Sequence, residues 1–413
     1  MVKATKSKSR SAHKSKTSKT RKAASKKPKA AKPATAAKAA KPAAKTASAK
    51  PATAAKAAKP ATAAKAAAKT ASAKPATVAK AAKPATAAKA AKPATAAKAA
   101  AKTASAKPAR QRSRSSRRRT KVGFIGQGLM GVPMAARLLG AGFALQVWNR
   151  TAEKTREAAE AGATVADTPA AAAKGADIVI LMVADDSALD TVLFGEQGAS
   201  RGLKRGAVVV NCSTTSPGIA FRAATALRSL SVRYLEAPVM RSVQAAREGK
   251  LQILVGGSAA DLARARKVLE ALGSDIHHVG DVGRAATLKL ACNILVAGLT
   301  QAFAESFVLA RKNGIPFETM MEVLHAGPLD SQVLRDVEQI VVNPGGRPNF
   351  YLRHMLNDLN LAMELAQQLD LPVPVTAATR QLLAAAHNLG LADKDFGALV
   401  EMMAKWAAIA MRG

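Results

Sequence analysis

The chain has 413 residues and a formal net charge of +37, yet residues 1–120 hold 35 of its 64 Lys and Arg and none of its 27 acids, leaving a net of +2 for the rest. The length permits two or three domains, and the near-neutral remainder is long enough to bury a substantial core. Cys212 and Cys292 form no CxxC pair and lie near no His cluster; this excludes a disulfide framework and a zinc site, so no metal is expected and a reduced cytoplasmic setting fits.

The first 120 residues contain no Phe, Trp or Tyr. The phrase KPATAAKAA begins at Lys32, Lys50, Lys59, Lys83 and Lys92, with KPATVAKAA at Lys74, and KTASAK begins at Lys45, Lys69 and Lys102. So few large apolar side chains cannot offset the entropy of ordering, and the recurring Pro breaks any Ala/Lys helix. A disordered basic tail over residues 1–120 is expected. It lacks the apolar centre of a signal peptide, and its repetition and length count against a mitochondrial transit peptide. The composition resembles the Lys/Ala/Pro-rich tails of histone H1 and of bacterial histone-H1-like proteins. A flexible polycation displaces counterions from nucleic acid, with affinity that falls as salt rises. Without aromatic side chains to stack on bases it should read little sequence, and the arginines of residues 110–119 add planar forks for phosphate. Nucleic acid is therefore one expected partner and a nucleoid association the matching location. The alternative is a solvated spacer with no dedicated partner.

Structure is expected to begin after Thr120. Residues 122–125 read as a buried strand and run into Gly126-Gln127-Gly128-Leu129-Met130-Gly131, a GxGxxG. Met130, Met134, Leu138 and Leu139 follow at helical spacing up to Gly140-Ala141-Gly142, and a second strand covers residues 144–148. In that context Gly126 allows the tight turn, Gly128 lets a pyrophosphate approach the backbone, and Gly131 lets helix and strand pack closely. The helix N-terminus offers free N–H groups to the phosphates. The second strand ends in Asn149-Arg150-Thr151, with no carboxylate before Glu153. An acid there would hold the ribose hydroxyls of NAD; a cation and a hydroxyl suit a 2′-phosphate, so NADP(H) is favoured and NAD(H) is the alternative. Arg150 also reads as a plain solvated turn residue. Further strands are expected near residues 177–183, 207–212, 233–239, 252–255 and 276–279, separated by helical segments, which gives a doubly wound α/β sheet.

Residues 283–313 read as one long apolar helix. Lys289 and Asn293 are four apart and share a face. A lysine in so apolar a stretch is costly unless it is exposed, paired or turned to a cavity, and snorkelling to solvent is the plain alternative. No uninterrupted run reaches the ~18 apolar residues of a bilayer span; the best, residues 290–299, contains Asn293. No membrane partner is expected.

GFIGQGLMG with NRT, NCSTTSP at 211–217, EAPV at 236–239, and GxxG followed by Lys-x-x-x-Asn resemble the β-hydroxyacid dehydrogenase family in order and spacing. The resemblance covers residues 121–413. It implies an NADP-binding Rossmann domain (121–282) and an all-helical catalytic and dimerisation domain (283–413), assembled as homodimers or homotetramers, acting on a small aldehyde, keto acid or hydroxy acid. It further implies that Lys289 is catalytic, that Asn293 binds substrate beside it, and that Val183 and Thr214 lie near the nicotinamide; singly these two also read as a core residue and a turn hydroxyl. Three positions depart from the family pattern. Met240, Arg241 and Ser242 stand where Ser-Gly-Gly usually holds the substrate carboxylate, with Arg241 a different candidate clamp. Asn357-Asp358-Leu359 replaces Lys-Asp-Leu, so Asn357 approaches the cofactor without charge. Ala285 replaces a usual Gly. Met355, Leu359 and Met363, at four-residue spacing, read as core. Two functions follow: an active reductase carrying a DNA-binding tail, or a chromatin or nucleoid protein that uses the dehydrogenase fold as an oligomeric scaffold.

Overall fold

The computed structural model describes residues 119–411; the repetitive basic segment and its expected nucleic-acid contacts lie outside the described residues. One sheet holds nine strands: β1 (Lys121–Ile125), β2 (Ala144–Trp148), β3 (Thr164–Val165), β4 (Ile178–Leu181), β5 (Val208–Asn211), β6 (Arg233–Glu236), β7 (Val239–Met240), β8 (Gln252–Gly256) and β9 (Asp275–Gly280). The order β3-β2-β1-β4-β5-β6 is parallel throughout. β8 then pairs antiparallel with both β6 and β7, and parallel with β9.

Strands β4 and β5 are buried on both faces, which is why IVIL and VVVN carry no alternation: a parallel sheet covered on two sides needs apolar residues at every position. Alternate residues feed two cores. Phe124, Ile178, Ile180 and Val210 join Met134, Leu138, Val268 and Leu269 from the helices Gly131–Gly140 and Ala259–Leu272 on one face. Ile125, Val179, Leu181 and Val209 join Leu189, Leu193, Ile219 and Leu227 from the helices Asp186–Phe194 and Pro217–Ser229 on the other. The expected run over 233–239 is two strands, because Pro238 interrupts it and cannot donate to a ladder.

The expected long helix spans Arg284–Lys312 and packs against the helices Leu352–Gln368, Pro374–Ala386 and Ala398–Trp406. By length and composition it would suffice to cross a membrane, which corrects the sequence expectation: that expectation counted only uninterrupted apolar runs. Lys289, Asn293, Thr300 and Gln301 nevertheless lie on its buried face, where a core helix can pair polar groups within the fold. Met355 and Leu359 are buried in the helical core with Leu383 and Leu399, and Met363 is half-buried.

The first turn of the long helix is tied to the sheet. Gly283 sits at φ +94 with a backbone N–H that donates to Glu236 Oε2 at 2.6 Å. A Cβ on Gly283 would lie 2.5 Å from the Phe221 ring. Burial pushes the Glu236 carboxyl up to about 7, against backbone hydrogen bonds from Gly283, Ala286 and Ala285 that pull it down. A carboxyl over the positive end of a helix is favourable; here desolvation outweighs that attraction.

Candidate active site

The glycine turn lies between β1 and the helix Gly131–Gly140. Gly126 has φ +103, and a Cβ there would fall 2.1 Å from the Met182 carbonyl oxygen; a Cβ on Gly131 would fall 2.0 Å from the Gly126 oxygen. Both must be glycine for the turn to close. Gly128 differs, since nothing lies within 4 Å of a Cβ there; its neighbourhood is open space. The N–H groups of Gly128, Leu129 and Met130 make no backbone hydrogen bond among the described residues, so they remain available to an anion at the helix start.

The end of β2 braces this turn. Asn149 Oδ1 accepts from the Gln127 N–H at 2.9 Å and Asn149 Nδ2 donates to the Thr151 carbonyl at 2.9 Å. The Gln127 side chain is fully buried with Oε1 unpaired. Gln127 and Asn149 therefore shape the turn, and the Gln127 N–H is not an open donor. Arg150, Thr151 and Lys154 are exposed on the lip, where the Arg150 and Lys154 side chains make no hydrogen bond or ion pair among the described residues.

From this turn a cleft of ≈520 Å³ runs between sheet and helical half. Its sheet-side wall includes Val183 and Thr214, and its far wall Phe350, Tyr351, Arg353, His354 and Asp358. Val183 is fixed by its N–H donating to Ser213 Oγ at 2.9 Å. The Thr214 loop is held by buried Asn211, which donates to Thr215 Oγ1 at 3.1 Å and to Tyr234 Oη at 3.2 Å and accepts from the Ser213 N–H. Burial, with a smaller contribution from Arg353, lowers His354 to about 4, so it faces the cleft as a neutral imidazole.

At the junction Lys289 and Asn293 are buried, 8% and 3% exposed, on one face of the long helix. Asn293 Nδ2 donates to Asp358 Oδ2 at 2.6 Å. The Lys289 ammonium is 3.2 Å from Met240 Sδ, a weak acceptor. Burial lowers the Lys289 pKa from the ordinary lysine value, with Asp358 opposing. Burial raises Asp358 to about 7, with Lys289 and Asn293 pulling it down. Both shifts run toward neutrality, as they must for two charges taken out of water.

The structure thus brings together Lys289, Asn293 and Met240, and brings Gly126, Gly128, Leu129, Met130, Gly131, Asn149, Arg150, Thr151, Val183 and Thr214 around the cleft. It turns Arg241 elsewhere: its guanidinium donates to the Lys250 carbonyl at 2.6 Å and lies 3.5 Å from Asp275. The Ser242 hydroxyl caps the helix Val243–Glu248. Asn357 stands beside Asp358 with Nδ2 buried and without a partner. Sequence reasoning missed Asp358, Glu236 and the wall at 350–354. The available signal for Asp358 was an acid among Leu356, Leu359 and Leu361, on a helix whose neighbouring positions read as core.

Residues 121–280 match the family model for the NAD binding domain of 6-phosphogluconate dehydrogenase, and residues 283–403 match that for NAD-binding of NADP-dependent 3-hydroxyisobutyrate dehydrogenase. A glycine turn with open N–H groups above a parallel sheet, facing an interdomain cleft, defines an NAD(P)-dependent oxidoreductase. The chain belongs to the β-hydroxyacid dehydrogenase family. It is 32% identical over 281 residues to glyoxylate/succinic semialdehyde reductase 1 of Arabidopsis thaliana, covering 68% of this chain and 97% of that protein. It is 33% identical over 279 residues to the cytokine-like nuclear factor N-PAC of Xenopus tropicalis; the match covers 68% of this chain and only 52% of that longer relative. A 3-hydroxyisobutyrate dehydrogenase of Mycobacterium tuberculosis, solved with L-serine, superposes with a TM-score of 0.63 at 27% identity, covering 69% of this chain and 99% of that one.

Proposed function

We propose that residues 121–413 reduce a small aldehyde or keto acid, or oxidise the matching hydroxy acid, with Lys289 as proton donor in the reductive direction. The observation that carries this reading is the buried Lys289 ammonium, whose direct partner is a thioether 3.2 Å away and whose helix neighbour Asn293 is held by Asp358. The nicotinamide, when bound, supplies or accepts the hydride. As negative charge develops on the carbonyl oxygen, Lys289 stabilises it and passes it a proton; in the opposite direction the neutral amine takes the alcohol proton. Residues 121–282 hold the dinucleotide and residues 283–413 contribute the catalytic helix. Arg150 and Lys154, exposed beside the turn, favour NADP(H) over NAD(H). Asn357 hydrogen-bonds near the cofactor without charge. The assembly is a homodimer or homotetramer, supported by Leu295 and Leu309, 66% and 68% exposed on the long helix. The test is NADPH oxidation with a panel of semialdehydes and keto acids, wild type against Lys289→Ala. Equal rates in the two proteins would remove Lys289 from the mechanism.

A second reading is favoured by the acid-free basic segment and by similarity to a nuclear factor. In it the segment binds nucleic acid, placing a cytoplasmic enzyme at the nucleoid, and the dehydrogenase fold serves as a scaffold that tethers several tails and raises avidity. Filter binding of residues 1–120 to duplex DNA should be strong at low salt and fall steeply as salt rises. No binding at low salt ends this reading. DNA compaction by Lys289→Ala at wild-type levels, with no turnover by either protein, would favour the scaffold over the enzyme.

A further inference from the structure

The loop that follows β6 decides what can lie against Lys289. Three side chains leave it, and none offers a free polar group to the ammonium. Met240 places its thioether sulfur 3.2 Å from Lys289 Nζ and is half-buried where Lys289 is buried, so a molecule approaching from that side meets the sulfur first. Arg241, the nearest cation in sequence, is committed to the Lys250 carbonyl and to Asp275, and its backbone is left-handed at φ +80. Ser242 spends its hydroxyl on the Ala245 N–H as a helix cap. The other cations along the cleft are also placed elsewhere. Arg353 pairs with Asp393 and lies 4.1 Å from the centre of the Tyr351 ring, and Arg150 and Lys154 flank the glycine turn.

A substrate carboxylate beside the reacting carbon would therefore have Lys289 as its sole cation, with the buried Asp358 carboxyl already facing that ammonium. Burying an anion without a dedicated partner is costly. An apolar substituent instead finds the thioether, a flexible and polarisable surface that adapts to different shapes. We infer that this site prefers an uncharged aldehyde or ketone bearing an apolar substituent over a carbonyl compound bearing a carboxylate, with Met240 as the residue that sets the preference. The inference rests on the reductase reading above.

The experiment compares butanal with 4-oxobutanoate, which have four carbons each and differ at the terminal carboxylate, using the full chain saturated with NADPH. Wild type should favour butanal in kcat/KM by at least about tenfold, the scale set by leaving one buried polar group unpaired. Met240→Leu should keep that ratio. Met240→Ser should shrink it severalfold, through a higher KM for butanal and a lower one for 4-oxobutanoate. A calorimetric arm that needs no turnover titrates the NADP-loaded protein with butanamide and with butanoate, and the amide should bind more tightly. If wild type handles 4-oxobutanoate as well as butanal, or binds butanoate more tightly than butanamide, the inference is overturned and the reductase stands. If neither aldehyde is turned over, both fall.

Discussion

The glycine turn and the Lys289 junction face the same cleft and are built on opposite principles. The turn uses backbone: its tight contacts are between main-chain atoms, and Gly128 opens onto vacant space. The junction uses side chains from residues 240, 289, 293 and 358, and three of those four are buried. A backbone site is specified by a short run of consecutive residues. A side-chain site depends on packing between distant segments, and its charges respond to burial.

That contrast can be broken first at Lys289. Lys289→Ala should lower kcat about 10²–10⁴-fold while calorimetry still detects the dinucleotide, because the turn shares no side chain with the junction. Reduction needs the protonated amine, and burial lowers its pKa. The rate should therefore fall on the alkaline side, at a pH below the ordinary lysine value. Since Asp358 pulls that pKa up, Asp358→Asn should move the alkaline limb to lower pH. A limb that stays in place would remove Asp358 from the electrostatics of Lys289.

Within the turn, Gly131→Ala should cost about 1–3 kcal/mol through overpacking and lower the melting temperature. Gly128→Ala should leave the melting temperature unchanged and weaken dinucleotide binding roughly tenfold, a loss of about 1.4 kcal/mol, by filling the pyrophosphate approach. Equal melting temperatures in the two variants would contradict the geometry.

Smaller effects come from buried acids. The Glu236 carboxyl is raised from 4.5 to about 7, so between those values the folded chain holds a proton that the unfolded chain releases. Its contribution to stability is therefore present below about pH 4.5 and is lost as pH rises to about 7. Glu236→Gln should flatten the fall in stability across that window by on the order of 1–2 kcal/mol, read as the slope of melting temperature against pH. The smallest effect is expected at the exposed lip, where Arg150→Ala should raise the Kd for NADPH a few-fold to about tenfold and leave NADH nearly unchanged. An equal change for both coenzymes would remove Arg150 from their discrimination.

Much of the sheet was legible because parallel strands covered on both sides appear as apolar runs: residues 144–148 coincide with β2, and 283–313 enclose the long helix. β3 was not legible, since Thr164–Val165 is two exposed residues with no pattern to detect. Nor was the antiparallel pairing of β8 with β6 and β7, because strand direction leaves no local mark. Lys289 and Asn293 stood out as polar residues in an apolar helix, whereas their partner Asp358 is 65 residues beyond Asn293. The direction of Arg241 was open from sequence alone; Asp275, which engages it, comes from β9 at the sheet edge.

The bond between Glu236 and the first turn of the long helix has a mechanical consequence. A crossover clamped by a buried carboxyl cannot swivel freely, so the segment bearing the amine rides with the sheet as one lever. Breathing of the crevice is then left to the opposing 350–358 wall, whose approach or retreat sets how much negative field the amine feels.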